Sequence, residues 1–320
     1  MRDSDSTIWQ RRVRVQRSGA LRADLPTAEP WRESGLARIR HGVYAPAAEL
    51  EAAGHGVRYL ARIEATAEMR SSPTFARESA LALHGLPYGA EPDRVFTIGD
   101  LRTAGLKAGV QHARVELDAE DVVEVHGMQA TSVPYALADL ARRRDQRVAV
   151  AAIDAALHEQ RCDREEIAAA LSRQSRVGRS RAEAALAFAD GGAESVGESW
   201  SRVVLQLLGF PAPQVQPRVR GASGRMWEPD FGWTLPELPR PLLGEFDGQE
   251  KYGRLAAADG LTPAQALARE KAREDDLRVE HDIARWIWID LLEPARLERL
   301  LLAHRLPRIR RPSLWLPPAA

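Results

Sequence analysis

Two short segments in the C-terminal half of the chain place acidic residues at the ends of apolar runs, and they constrain the fold more than any other feature. They read Trp-Glu-Pro-Asp-Phe over 227–231 and Leu-Leu-Gly-Glu-Phe-Asp-Gly over 242–248. The apolar runs predict two buried β-strands. Because side chains alternate along a strand, we expect Glu245 and Asp247 to lie on one face, with Phe246 on the other.

These acids predict a site for a hard divalent cation. Asp230, Glu245 and Asp247 are candidate metal ligands, because Mg²⁺ prefers oxygen donors and adjacent carboxylates repel unless a cation joins them. Lys251 follows in the sequence, where a lysine can stabilise charge that develops on a phosphate. Glu198, on the preceding predicted helix, is a candidate to complete the metal shell or to orient a water. Taken singly, each carboxylate fits a solvated strand end or a salt bridge better, whereas the combined order favours a site.

The order of elements around these segments predicts an α+β domain. Its helices are expected over 195–208, 263–280 and 294–306, and its strands over 214–219, 226–233, 242–246 and 283–289. This αβββαβα order predicts one mixed sheet flanked by helices. On the helix that begins at Pro263, Lys271 and Arg273 are candidate DNA contacts, although an i, i+4 pair of Lys271 with Asp275 is favoured over a phosphate contact. Trp286 and Trp288 are more typical of core packing than of stacking on bases.

Residues 1–46 have the outline of helix, helix and basic hairpin. A helical pattern over 18–25 precedes a run over 35–44 in which apolar and basic residues alternate around glycines. This outline is typical of a winged helix, where a helix enters the major groove and arginines of the wing contact phosphates. Arg32, Arg38 and Arg40 are therefore candidate DNA contacts. An ordinary small helical subdomain fits the same pattern.

The middle of the chain predicts two further regions. Residues 57–145 combine helical patterns, which end near Met69 and His84, with β-like runs over 94–98 and 122–125. His84 has no second ligand at metal spacing, so a core or capping role is favoured. Residues 146–192 are alanine-rich and predict three helices, over 148–160, 164–172 and 179–189, that connect the domains. A Pro/Arg-rich tail over 307–320 follows the C-terminal domain of 194–306.

Composition excludes several classes of protein. The net charge of zero gives no global basic field that would announce nucleic acid. The single cysteine, Cys162, forms no internal disulfide, and the N-terminus lacks the apolar region of a signal peptide, so we expect a cytoplasmic protein. No apolar run approaches the roughly 18 residues that cross a bilayer, and no membrane partner is expected. A nucleophile elbow, a P-loop and Cys/His metal spacing are all absent from the sequence.

Four motifs of the C-terminal region are shared with one nuclease family. They are Glu198, Pro229-Asp230-Phe, Glu245-Phe-Asp247-Gly248 and Arg269-Glu-Lys-Ala-Arg273-Glu-Asp-Asp-Leu277. Through them, residues 194–302 resemble the very-short-patch-repair branch of the PD-(D/E)XK nucleases. The resemblance implies a restriction-endonuclease-like fold, Mg²⁺, Asp230 and Glu245 as metal ligands, Lys251 as the motif lysine and Glu198 as the helix acid. The chain departs from the motif at Asp247, where a lysine is usual, and after Gly248, where the repair branch often has a histidine.

Three stretches of the N-terminal half are shared with a family of regulators. They are Arg40-His-Gly-Val-Tyr-Ala45, Ser79-Ala-Leu-Ala-Leu-His-Gly-Leu-Pro87 and Val133-Pro-Tyr-Ala-Leu-Ala-Asp-Leu-Ala-Arg142. Residues 18–140 resemble the AbiEi-family antitoxins and their actinobacterial relatives. This resemblance implies DNA binding and a toxin protein as a candidate partner.

Two functions follow from these patterns. The first is a Mg²⁺-dependent endonuclease domain that hydrolyses DNA phosphodiester bonds and is positioned by a winged-helix, antitoxin-like module. The second is a non-enzymatic, antitoxin-type DNA-binding regulator that keeps an inactive nuclease fold as a scaffold. The sequence does not decide between them, and it gives no oligomeric state.

Overall fold

A computed structural model of the chain describes residues 9–24, 35–100, 104–248 and 262–316. The chain divides into two units: unit 1 comprises Met1–Arg144 and Gln160–Ala182, and unit 2 comprises Asp145–Glu159 and Glu183–Ala320. The chain therefore passes from one unit to the other three times. The region predicted as a connector, 146–192, is shared between the two units.

Unit 1 begins with a small antiparallel sheet. Its strands are β1 (Gln16–Arg17), β2 (Leu36–Arg40) and β3 (Val43–Pro46), in the order β1-β3-β2. Gly42, with φ of 76°, lies in the turn between β2 and β3, and α1 (Ser18–Asp24) follows β1. The predicted helix and basic hairpin are thus confirmed, whereas the second helix of the predicted outline falls between them, in residues 25–34, which lie outside the described residues. Helices α2 (Ala47–Ala52) and α3 (His55–Met69) come next.

A six-stranded mixed sheet forms the rest of unit 1. Its strands are β4 (Thr74–Phe75), β5 (Val95–Gly99), β6 (Gly105–Lys107), β7 (Val110–Arg114), β8 (Val122–Val125) and β9 (Met128–Thr131), in the order β6-β7-β5-β4-β9-β8. The strands at 94–98 and 122–125 were predicted. The others are short or carry polar residues on both faces, and tertiary pairing rather than local pattern forms them. Helices α4 (Arg77–Leu83) and α5 (Val133–Arg143) complete this part.

The alanine-rich region forms the three predicted helices. They are α6 (Gln146–His158), α7 (Arg164–Arg173) and α8 (Arg179–Phe188). The side chains of Asp145 and Asp163 cap the first two helices, and Asp163 forms a capping box with Glu166. Helix α6 belongs to unit 2 and α7 to unit 1.

Unit 2 has the expected element order, with smaller strands than predicted. Its helices are α9 (Val196–Leu208), α10 (Pro263–Arg278), α11 (Trp288–Leu292) and α12 (Pro294–Ala303), and its strands are β10 (Gln214–Val215), β11 (Val219–Arg220), β12 (Met226–Trp227), β13 (Phe231–Trp233), β14 (Leu242–Phe246) and β15 (Asp282–Trp286). The main sheet has the order β10-β13-β14-β15, antiparallel except for the parallel pair β14-β15. A mixed sheet with flanking helices was predicted, and β11 and β12 pair separately.

Three predicted strands are corrected by the structure. The strand predicted over 214–219 divides into β10 and β11, which lie in different sheets. The strand predicted over 226–233 is interrupted at Pro229, which has no N–H for a ladder. The strand predicted over 283–289 ends at Trp286, and Trp288 instead begins a short helix. The carboxylate of Asp290 accepts a hydrogen bond from the backbone N–H of Ile287 at 3.0 Å, which caps that helix.

Aromatic side chains fill the core of unit 2. Trp286 is fully buried, its ring stacks on Phe231 with centroids 5.5 Å apart, and its Nε1 donates to Ser201 Oγ at 2.8 Å. This confirms core packing for Trp286. The predicted tail packs on the same unit: Leu316 is buried and its backbone N–H donates to Gln146 Oε1 at 2.8 Å. In the described part of the chain, no helix is long and apolar enough to cross a membrane.

Candidate functional site

Asp230 and Glu245 lie at facing positions of neighbouring strands. Phe231 pairs with Gly244 in the antiparallel register, so the next pair outward joins Asp230 to Glu245. Asp230 precedes β13 and does not end a strand as expected, because the ladder starts after Pro229. Its Oδ2 accepts a hydrogen bond from the backbone N–H of Phe246 at 2.8 Å. The Asp230 carboxylate therefore fixes the end of β14.

Both oxygens of Glu245 are bound by arginines. Oε1 lies 2.6 Å from Nη2 of Arg273 on α10, and Oε2 lies 3.0 Å from Nε of Arg285. Arg285 stands directly beside Glu245 in the parallel register of β14 and β15. Because Glu245 is only 8% exposed, these charge-assisted bonds satisfy a carboxylate that is otherwise costly to bury.

Two more glutamates on α10 extend this contact into a network. Glu270 binds both Arg273 and Arg285 at 2.7 Å, and Glu274 lies 3.1 Å from Arg285. Burial raises the pKa of Glu270, but the hydrogen bonds and charges of the two arginines outweigh it and hold the pKa below its usual value. Burial likewise lowers the pKa of Arg273, and the surrounding glutamates outweigh it and raise the pKa. The network is thus held together in its ionised form.

The predicted magnesium ligand Glu245 has cationic partners in the structure. Its carboxylate is paired with two guanidinium groups, so a cation would have to compete with them for its oxygens. Within the described ranges, no three His, Cys, Asp or Glu side chains form a group that could hold a metal ion. The magnesium site stays a prediction, and no chemical step is derived through it.

The remaining predicted acids have other contacts. Glu198 is buried near the start of α9, where Oε1 accepts from Ser195 Oγ at 2.7 Å and Oε2 accepts from Gln216 Nε2 at 3.0 Å. Ser195 Oγ in turn accepts from the backbone N–H of Glu198. Ser195 therefore caps the helix, and the Glu198 carboxylate holds the serine hydroxyl in place. Asp247 lies just past β14, half-buried, and its backbone N–H donates to the carbonyl of Trp286.

The lysines and arginines predicted to contact DNA or to act in catalysis differ in whether the structure describes them and in whether they have partners. Lys251 and Arg32 lie outside the described residues. Arg273 is committed to the glutamate network described above, whereas Lys271 is exposed and pairs neither with Asp275 nor with any other described residue. Sequence reasoning missed Arg285 as a partner of Glu245, since only the parallel register brings the two together.

The hairpin arginines differ from one another. Arg40 is half-buried, its Nη1 donates to Thr66 Oγ1 at 2.7 Å, and burial and the charge of Arg70 lower its pKa. Arg38 is exposed on β2, beside Tyr44 of β3, and has no hydrogen-bond or ion-pair partner among the residues that the structure describes. Of the two, Arg38 is the side chain available to a ligand.

The motif that ends in Arg142 organises the helical part of unit 1. Arg142 is 6% exposed; its Nη1 lies 3.2 Å from both Asp139 and Gln174, and its Nε donates to the carbonyl of Val177 at 2.9 Å. His84, at the end of α4, is buried with Nε2 2.8 Å from the carbonyl of Thr131. This confirms the predicted core or capping role for His84.

The segment that contains these contacts is antitoxin-like. Residues 75–188, from α4 to α8, match the AbiEi antitoxin C-terminal domain. The chain is 33% identical to the uncharacterized proteins MT2308 and Rv2248 of Mycobacterium tuberculosis, strains CDC 1551 / Oshkosh and ATCC 25618 / H37Rv, over 253 residues that cover 76% of this chain and 81% of each relative. The chain therefore belongs to the same family as these mycobacterial proteins. No solved structure matches it.

Proposed function

We propose that the protein is a DNA-binding regulator of the antitoxin type, with a nuclease-like unit 2 that serves as a scaffold. The observation that carries the proposal is the match of residues 75–188 to an antitoxin domain. Most of that segment, residues 75–144 and 160–182, lies in unit 1, which also contains a small sheet with a basic hairpin. A toxin protein is the expected partner of such a domain.

The hairpin of β2 and β3 carries an arginine that can bind the phosphates of DNA. In this proposal, the sheet β1-β3-β2 forms the wing of a DNA-binding module, and α1, which follows β1, belongs to the same module. Arg38, on the outer strand β2, has no partner among the described residues, and exposed arginines bind phosphate oxygens. Arg40 positions the hairpin through Thr66 instead of contacting a ligand.

Replacing Arg38 by alanine tests the DNA-binding face. We expect Arg38→Ala to weaken binding to duplex DNA from the region upstream of the protein's own coding sequence by roughly tenfold and to reduce the dependence of log K on log salt by about one. Gel shifts over a salt series measure both quantities. Arg176→Ala, which removes an exposed arginine of the same unit, is the matched control. Equal affinity and equal salt dependence in the wild-type protein and the Arg38 variant would exclude this face.

One observation supports the nuclease alternative: Asp230, just before β13, lies opposite Glu245 of β14 when the strand register is continued by one residue. It is tested by nicking of supercoiled plasmid DNA with added Mg²⁺, comparing the wild-type protein with Asp230→Asn and Glu245→Gln. We expect no nicking by any of the three, because Glu245 is bound by Arg273 and Arg285. Nicking that only the wild-type protein shows would establish the alternative and overturn the scaffold role.

A further inference from the structure

A second basic feature of unit 1 shares no residues with the hairpin. We propose that a cleft of about 640 Å³ in this unit binds a small phosphate-bearing ligand of nucleotide size, through Arg77, Arg94, Arg143, Arg144 and His112. This site is distinct from the proposed DNA-binding hairpin and goes beyond the proposed function.

The cleft is built on the centre of the six-stranded sheet. Strands β5 and β7 provide Phe96, Thr97, Gln111 and His112, and the first residue of α4 provides Arg77. The C-terminal end of α5 places Arg143 and the adjacent Arg144 at the opposite side. Ligand pockets of this kind commonly have volumes of roughly 300–1,000 Å³, so the cleft has room for a nucleotide.

The charges around the cleft leave an excess of cations. Four arginines line it, and they have three carboxylate partners. Glu78 pairs with Arg77 and Arg144, Asp139 pairs with Arg143 and also with Arg142 outside the lining, and Asp93 pairs with Arg94. The four lining cations therefore exceed the three carboxylates by one. A phosphate group, which is an anion, matches a cleft with this excess of positive charge.

Arg77 is held in an unusual way. Its backbone is in the left-handed region, with φ of 54°, a conformation that costs energy for a residue with a side chain. Its guanidinium carbon lies 4.0 Å above the centre of the Phe96 ring. Nε is buried and makes no hydrogen bond among the described residues, because its 3.3 Å contact with Glu78 lacks hydrogen-bond geometry. A buried donor left in this state is costly unless a ligand accepts from it.

His112 provides a second incompletely bonded group in the wall of the cleft. It is 5% exposed, and Nδ1 lies 3.0 Å from Thr97 Oγ1. In the described structure Nε2 is buried without a hydrogen bond of normal geometry. Burial lowers the pKa of His112, and a contact with the backbone of Gly99 only partly opposes this shift. With Thr97 donating to Nδ1, the neutral ring carries its proton on Nε2 as a donor.

Thermal unfolding and calorimetric titration of the full-length protein test the site without DNA. The probes are inorganic phosphate, adenosine 5′-monophosphate and adenosine. We expect phosphate and the monophosphate to raise the midpoint of thermal unfolding, since a ligand that binds only the folded state stabilises it. Adenosine, which lacks the phosphate, should have no effect. A protein that none of the probes stabilises, or that adenosine stabilises equally, would overturn the proposal.

Arginine variants locate the binding. Arg143→Gln removes a half-exposed side chain and should leave the fold intact, yet weaken binding of the monophosphate by about tenfold or more. Arg77→Gln should abolish binding, but its buried position makes Arg143→Gln the safer variant. The control, Arg176→Gln, removes an exposed arginine outside the cleft and should bind like the wild-type protein. Equal affinities of the Arg143→Gln and Arg176→Gln proteins for the monophosphate would contradict a small-ligand site. An Arg143→Gln protein that loses duplex DNA binding but binds the monophosphate like the wild-type protein would also contradict it.

Discussion

At the scale of single residues, buried charges in this protein are paired, and Asp154 is a clear case. It lies on α6, fully buried, with Oδ2 2.9 Å from Nη1 of Arg202 and Oδ1 accepting from the backbone N–H of Asp190 at 2.6 Å. Burial raises the pKa of Asp154 to about 6, and the attraction of Arg202 only partly opposes this. Asp154 on α6 is thus linked to Arg202 on α9 and to the loop at Asp190. Its burial makes the ionised form unfavourable.

The raised pKa predicts how Asp154 affects stability with pH. Its folded value lies above the unfolded value of about 3.9, so the folded state binds the proton more tightly between about pH 4 and pH 6. This contribution to stability is fully present below about pH 4 and is lost as the pH rises through 6. The difference in the free energy of unfolding between the wild-type protein and Asp154→Asn should therefore shrink by about 2 kcal/mol from pH 4 to pH 7.

Urea unfolding at several pH values measures this difference. Glu183→Gln, which alters an exposed carboxylate of the same unit, should give a difference that does not change with pH. A wild-type advantage over Asp154→Asn that stays constant or grows with pH would show that Asp154 is not held as described.

At the scale of elements, close backbone approaches fix how helices meet. Gly178 precedes α8, and its φ of 79° lies in the left-handed region. A Cβ atom added there would lie 2.2 Å from the carbonyl oxygen of Arg142, which is backbone and cannot move aside cheaply. Arg142 also binds the neighbouring carbonyl of Val177. The end of α5 and the turn before α8 therefore form one tightly packed junction.

Replacing Gly178 by alanine should break that junction. We expect Gly178→Ala to lower the free energy of unfolding by about 2–4 kcal/mol, from backbone strain and the steric clash together. Gly19→Ala is the control, because no atom lies within 4 Å of the added Cβ and alanine is the better helix former in α1. Chemical denaturation measures both variants. Equal free energies of unfolding for the Gly178→Ala and Gly19→Ala proteins would mean that the backbone moves to accommodate the added Cβ without loss of stability.

Elements with strong local signals were predictable from the sequence, and those set by distant partners were not. The alanine-rich helices have periodic apolar faces and acidic caps such as Asp163, so their positions were predicted within a few residues. Ser195 precedes Glu198 by three residues, the spacing at which a capping serine accepts from the backbone N–H of the third helical residue, as observed. Arg285, in contrast, is forty residues from Glu245. No local pattern reveals that register.

At the scale of the whole molecule, the chain leaves and re-enters each unit. Helix α6 packs along α9 of unit 2, through Arg202 to Asp154 and with Arg147 5.0 Å above the Trp200 ring. Residues 160–182 of unit 1 separate these two helices in the sequence. A fragment of residues 183–320 therefore lacks one helix of its own core.

Adding the missing helix α6 as a peptide should restore the folding of this fragment. We expect residues 183–320 alone to expose the apolar side of α9, bind a hydrophobic dye and unfold without a sharp transition. A peptide of residues 145–159 should bind the fragment and restore cooperative unfolding by circular dichroism. A peptide with Ile153→Asp, which places a charge at a fully buried position, should not. A fragment that unfolds cooperatively without any peptide would contradict this dependence.

Because the chain passes between the units three times, α6 is synthesised well before α9, the helix of unit 2 on which it packs. The end of α6 leaves the ribosome 196 − 158 = 38 residues before the start of α9. At synthesis rates of roughly 5–20 residues per second, about 2–8 seconds pass between the emergence of the end of α6 and the emergence of the start of α9. During that interval the residues Ala149, Val150 and Ile153, buried in the finished protein, have no α9 to cover them. Synthesis rate and chaperone supply are thus expected to influence the yield of folded protein.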